Sequence, residues 1–295
     1  VLQWEDYAGK KFLEIGCGIG YLLSKIKNKK GEVLGVEPGK QGQVGSKRFD
    51  FPVIQGFYPE VEINGKFDVI ISYCVLEHVS NPLSFLKELK PLLNPRGKIF
   101  AIVPNEKPYI KSGDISSLFH EHWSYFTEES LRNLIEKSLG TNIDIECSKY
   151  GGLLFSNFSF DEDSTALDED FDVDNSYFTK FMVDFEGNAE RLVNFFTENK
   201  VMGVYVPLRI VNYLINYEMN VENIRFFDDD NYSYRKYFPG IDVKIENFED
   251  LVKNPPQKIL VMSNFFGELI KDKIQTVFNK DIEIVLWSDI FNSDY

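Results

Sequence analysis

Two clusters in this sequence carry residue types suited to chemistry. The first is Glu14-Ile-Gly16-Cys-Gly18-Ile-Gly20, which directly follows an apolar run and opens a helical pattern. Glycine turns sharply and admits a ligand where a Cβ would block it. In open α/β sheets such a turn lies at the carboxyl edge of the strands, where ligands bind. Glu37 ends the next apolar run, in Gly-Val-Glu-Pro. A carboxylate at that position can accept hydrogen bonds from both hydroxyls of a ribose; the bland alternative is a solvated acid in a turn before Pro38. The second cluster holds all three histidines: His78 in Cys-Val-Leu-Glu-His-Val, and His120 and His122 in Phe119-His-Glu-His-Trp123. Histidine titrates near neutrality and suits proton withdrawal from a weak nucleophile. Glu121 beside His122 could orient the imidazole or be a surface acid. His-x-His could also pair on a metal, but the sequence offers no evident third or fourth ligand, which zinc requires, so the expectation is no metal.

These residues need a scaffold, and the hydrophobic pattern supplies one. Lys11–Ile15, Glu32–Val36, Phe67–Ser72 and Lys98–Val103 read as buried strands, with a helix predicted from Tyr21. Asn81-Pro82 predicts a helix start, running to about Leu93. Strands separated by helices in this rhythm predict a parallel sheet with right-handed crossovers. Thr127, followed by Glu128 and Glu129, predicts another helix, ended by Gly140. Residues 143–148 and 153–160 flank Gly151-Gly152 and read as an antiparallel pair at the sheet edge. Residues 161–174 are acidic and read as a solvated linker, with a helical pattern over 178–196. A second, shorter α/β run follows: strands at 201–206, 224–227, 258–262 and 282–286, helices at 208–217 and 265–278. The fold expected is α/β, a doubly wound Rossmann-like domain over 1–160, a linker and connecting helix over 161–200, and a smaller Rossmann-like domain over 201–295.

Composition narrows the partners. Acidic residues exceed basic ones by 46 to 32, a formal charge of −14. Such a surface repels phosphate backbones and anionic lipid, so nucleic-acid and membrane partners are not expected. No apolar run reaches the ~20 residues of a membrane span, and no signal-peptide pattern opens the sequence. Three scattered cysteines without a Cys-x-x-Cys pair argue for a reducing, cytoplasmic setting. Oligomeric state is left open.

A ribose is common to dinucleotides and to S-adenosylmethionine. Dinucleotide turns prefer G-x-G-x-x-G, whereas this loop is E-x-G-x-G-x-G. That form, together with Phe67 to Asn105 (FDVIISYCVLEHVSNPLSFLKELKPLLNPRGKIFAIVPN), resembles the class I S-adenosylmethionine-dependent methyltransferases. The resemblance implies that Glu14, Gly16, Gly18 and Gly20 line the methionine part of the cofactor and that Glu37 holds the ribose. It also places Gly56 and Phe57 at the adenine, with Ser72 in the cofactor set.

A narrower resemblance comes from Leu118 to Leu131 (LFHEHWSYFTEESL) and Tyr150-Gly151-Gly152, with Asp229-Asp230-Asn231 and Tyr237-Phe238-Pro239-Gly240 further on. These resemble the C-methyltransferases of nucleotide-linked 4-keto-deoxysugars. The resemblance implies His122 as general base, Glu121 as its helper, His78 near the acceptor, and a nucleotide-linked sugar as substrate. Phe119 stands where that family has tyrosine, Phe155 where it has arginine, and its cysteine-rich zinc module is not in these 295 residues. An O-methyltransferase on another polar small molecule, or a non-catalytic binder of S-adenosylmethionine, therefore stays open.

Overall fold

Alternation of apolar runs with amphipathic segments builds two sheets, each with its own core. The computed structural model describes residues 7–160, 176–198, 202–278 and 282–291; the predicted acidic linker, 161–174, lies outside them. The chain divides into two compact units. One falls within Val1–Lys107 and Phe119–Phe171, the other within Pro108–Leu118 and Asp172–Tyr295.

The first unit contains β1 (Lys11–Ile15), α1 (Tyr21–Asn28), β2 (Glu32–Val36), α2 (Lys40–Phe49), β3 (Val53–Ile54), β4 (Phe67–Tyr73), α3 (Pro82–Leu89) and β5 (Leu93–Pro104). After α4 (Lys107–Ser112), which from Pro108 on falls in the second unit, come α5 (Glu128–Lys137), β6 (Gly140–Cys147) and β7 (Leu153–Phe160) of the first. The sheet order is β3-β2-β1-β4-β5-β7-β6. Five strands are parallel, and β7 runs antiparallel to both β5 and β6. The chain reverses its direction of travel across the sheet between β1 and β4, and in open α/β sheets ligands bind at the carboxyl ends of the strands at such a point. Leu13, Ile70, Ile99 and Ala101 face one core with Leu86 and Ile135, while Phe12, Val69 and Ile71 face another with Leu23 and Ile26.

Local chemistry sets the element ends. The Asn81 side chain accepts from Ser84 N–H and Pro82 opens α3. Thr127 and Ser130 form a reciprocal capping box at α5. The helix expected to reach Leu93 ends earlier: α3 stops at Leu89, a 3-10 turn covers Lys90–Leu92, and β5 has begun by Leu93. Pro91, which lacks an N–H, does not support continued α-helix. A bulge between Phe67 and Val69 then accommodates Asn94-Pro95 within the strand pairing.

The second unit comprises α6 (Ser176–Glu198), β8 (Met202–Tyr205), α7 (Val211–Asn216), β9 (Ile224–Phe227), β10 (Ile245–Glu246), α8 (Phe248–Lys253), β11 (Lys258–Val261), α9 (Gly267–Phe278), β12 (Glu283–Leu286) and α10 (Trp287–Ile290). Its sheet is parallel throughout, in the order β10-β9-β8-β11-β12. Segment 108–118, expected within the first domain, packs in this unit. Ile115 joins its core with Leu192, Val204 and Tyr213, and Asp114 is buried there. Among the described residues no helix is long and apolar enough to cross a membrane.

Candidate active site

The glycine loop leaves β1 at Ile15 in left-handed conformations, with φ of 72°, 53° and 69° at Gly16, Gly18 and Gly20. Gly16 and Cys17 donate their N–H groups to the Val36 carbonyl, which holds the loop against the end of β2. The three glycines are required for different reasons. A Cβ on Gly20 would lie 1.8 Å from the Phe51 ring, and one on Gly16 would lie 2.4 Å from Val75 Cγ2. A Cβ on Gly18 would meet nothing within 4 Å. Gly16 and Gly20 thus allow close packing of Val75 and Phe51, and Gly18 borders open space.

Glu37 is buried at the end of β2 and already oriented. Its Oε2 accepts from Gly18 N–H at 2.9 Å, and its Oε1 accepts from Gly39 N–H and Gln41 Nε2, both at 2.8 Å. A carboxylate offers about four lone-pair sites, so accepting two ribose hydroxyls requires exchange of one present donor. Gly56 follows β3 and donates to the Glu37 carbonyl, whereas the Phe57 ring is exposed. Ser72 pairs in register with Ile15, next to the loop.

Two buried polar atoms at this edge have no hydrogen-bond partner among the described residues: Glu14 Oε2 and Ser72 Oγ. Burial, reinforced by the nearby Glu37 charge, pushes the Glu14 carboxyl up to about 8. Burial and the Glu14 and Glu37 charges push the Cys17 thiol up to about 12, so it is no nucleophile at neutral pH. An anchored acid and two unmatched polar atoms beside the glycine loop suit a ligand bearing a ribose and cationic groups, as S-adenosylmethionine does.

The contact of Val75 with Gly16 ties the loop to the second cluster. A 3-10 turn, Leu76–His78, follows Val75. The Glu77 carbonyl accepts from Trp123 N–H at 2.8 Å and from Ser124 N–H at 3.2 Å, fastening the 119–124 loop to that turn. The His78 and His122 ring centroids are 4.8 Å apart with planes at 76°. Phe119 and Tyr125 also pack on His122, and the Tyr125 hydroxyl donates to the Phe119 carbonyl. Burial, then His78, lowers the His122 pKa from its ordinary value, with Glu121 opposing.

The neighbouring residues make contacts of their own. The Glu121 carboxylate pairs with exposed His120 at 3.2 Å, while the Glu121 carbonyl lies 3.1 Å from His78 Nδ1. Glu77, which the sequence did not single out, is the buried carboxylate here. One donor atom from each of Glu77, His78 and His122 lies within 4.8 Å of the others. The His120–His122 pair does not converge in this way. Residues 77 and 122 are far apart in sequence, so no local motif announces their convergence.

Residues 3–139 match the family described as "Methyltransferase domain". The ubiquinone biosynthesis O-methyltransferase of Acinetobacter baumannii (strain AYE) is 28% identical over 123 residues, 36% of this chain and 51% of the relative. The protein of that name from Pseudomonas aeruginosa (strain LESB58) is 30% identical over 119 residues, with the same coverage. The chain thus spans about half the length of these relatives. A Burkholderia thailandensis 1,6-didemethyltoxoflavin-N1-methyltransferase, solved with S-adenosylhomocysteine, is similar at 18% identity and a TM-score of 0.42, over 52% of this chain and 72% of that one. Over residues 3–139, a little under half of its length, the chain is thus similar to methyltransferase domains.

Proposed function

We propose that the chain methylates a small molecule, a sugar in nucleotide-linked form, with His122 withdrawing the acceptor's proton. The observation that supports this reading is a half-buried imidazole, His122, packed on His78 of the Leu76–His78 turn, which follows Val75, the residue that meets Gly16 of the glycine loop. When bound, S-adenosylmethionine supplies a methyl carbon activated by its sulfonium. What remains for the protein is alignment and proton removal. Gly18 and Glu37 hold the cofactor's edge, Glu14 and Ser72 take its polar groups, and His122 accepts the proton as the acceptor atom attacks. The name of the A. baumannii and P. aeruginosa relatives favours oxygen as the atom methylated. The sugar rests on the likeness of the 118–131 and 150–152 segments to sugar methyltransferases.

Purified protein with S-adenosylmethionine and a panel of nucleotide-linked sugars, keto and reduced, would be followed by mass spectrometry beside His122→Ala. The expected outcome is a product 14 mass units heavier, lost about 100-fold or more in the variant, with cofactor affinity kept. Equal turnover in His122→Ala would remove that residue from the mechanism, and methylation of non-sugar hydroxyls alone would replace the sugar.

A further inference from the structure

We propose that Glu77, His78 and His122 form a site for a divalent transition-metal ion of the Zn2+ type. Among the described residues no other set of three His, Cys, Asp or Glu donors converges as these do. Their backbone is fixed: the Leu76–His78 turn and the 119–124 loop are joined through the Glu77 carbonyl. His78 Nδ1, 3.1 Å from the Glu121 carbonyl, is placed to donate to it. An imidazole so anchored turns its other nitrogen, with a free lone pair, toward a ligand, as metal-binding histidines do.

The decisive feature is a gap. Glu77 Oε2 and His122 Nδ1 are both buried, and neither has a partner among the described residues. Two such atoms have given up water without gaining a bond in its place. A carboxylate and an imidazole acting as a simple acid–base pair would be bonded to each other, and these are not. Donor atoms within 4.8 Å of one another bracket the space an ion occupies. Bonds of about 2.0–2.2 Å place tetrahedral ligands about 3.4 Å apart, so small side-chain rotations close the site. Two imidazoles and one carboxylate suit Zn2+ and its transition-metal neighbours. Mg2+ and Ca2+ require more oxygen ligands.

The consequence for activity rests on the reading of His122 as base. A bound ion takes the imidazole lone pair that would accept the acceptor's proton, so occupancy suppresses methyl transfer.

The test uses the tag-free full chain, dialysed against Zn2+ and counted by elemental mass spectrometry, with Co2+ as a spectroscopic substitute. One equivalent per chain and a tetrahedral Co2+ visible band are expected. His78→Ala and Glu77→Gln should each weaken Zn2+ binding by about tenfold or more, while His120→Ala leaves it unchanged. His78 is exposed, so His78→Ala remains decisive even if the buried Glu77→Gln fails to fold. No retained ion, or equal affinity in wild type and His78→Ala, overturns the site. Zn2+ should also abolish turnover, and a chelator should restore it. Zn2+ binding that is lost in His78→Ala but does not lower wild-type turnover would uphold the site and overturn His122 as base.

Discussion

Glu14 shows how one residue ties the cofactor crevice to stability. Its carboxyl is buried, its Oε2 is unpartnered, and its pKa stands at about 8 against an ordinary 4.5. The folded state therefore keeps a proton that the unfolded chain releases above the ordinary value. Stability from this group is fully present below pH 4.5, falls as pH rises, and is lost once pH passes about 8. Glutamine keeps the shape and removes the titration. Relative to wild type, Glu14→Gln should gain stability between pH 5 and pH 8, at up to about 1.4 kcal/mol per pH unit, and change little beyond. Urea unfolding of both proteins across that range measures it. A constant difference at every pH would show that Glu14 is ionised throughout, or that its burial is offset by a partner.

At the scale of elements, the instructive case is α2. Its sequence, Lys40–Phe49, contains Gly42 and Gly45, poor helix formers, and only Val44 and Phe49 as apolar residues, so the sequence alone does not announce a helix there. The same glycines are why it packs where it does. A Cβ on Gly45 would come 2.0 Å from the Ile19 carbonyl oxygen, inside the cofactor loop, and one on Gly42 would come 2.8 Å from Glu37 Cβ. Alanine is worth about 1 kcal/mol over glycine in a free helix, yet Gly45→Ala should destabilise this protein, because backbone blocks the added methyl. Cofactor affinity should fall with it, since Ile19 lies between Gly18 and Gly20. Chemical denaturation and calorimetric titration of S-adenosylmethionine test this; a more stable Gly45→Ala would mean that α2 shifts freely. The strands that carry the loop and the ribose acid were legible because each is a continuous apolar run: β1, β2 and β9 match their expected bounds. The glycine loop and Glu37 were legible for the same reason, being local to one strand-turn-helix unit. Glu77 was not, since its relation to His122 arises only when the end of β4 meets the 119–124 loop.

For the whole molecule, the division into two units is not a simple cut of the chain. Residues 108–118 leave the first unit, build part of the second, and return at Phe119, three residues before His122. Asp114 anchors this excursion. Its Oδ1 accepts from Ser116 N–H at 2.8 Å and from the Tyr213 hydroxyl at 3.2 Å; its Oδ2 accepts from Ser116 Oγ at 3.0 Å and Asn264 Nδ2 at 2.9 Å. Burial raises its pKa, against the pull of these donors. Asn264 lies just past β11, so the acid sits at the carboxyl end of the second sheet, where open α/β sheets take ligands. Asp114→Ala strands those donors in the interior and should cost on the order of 3 kcal/mol. Calorimetry with and without S-adenosylmethionine locates the loss. The cofactor stabilises the unit that binds it, by about 2.7 kcal/mol at a hundredfold excess over Kd. In Asp114→Ala the cofactor-insensitive transition should move down while the cofactor-sensitive one keeps its shift. If both fall together, or one transition covers the whole chain, the units unfold as one and the anchor of 108–118 governs the catalytic domain as well.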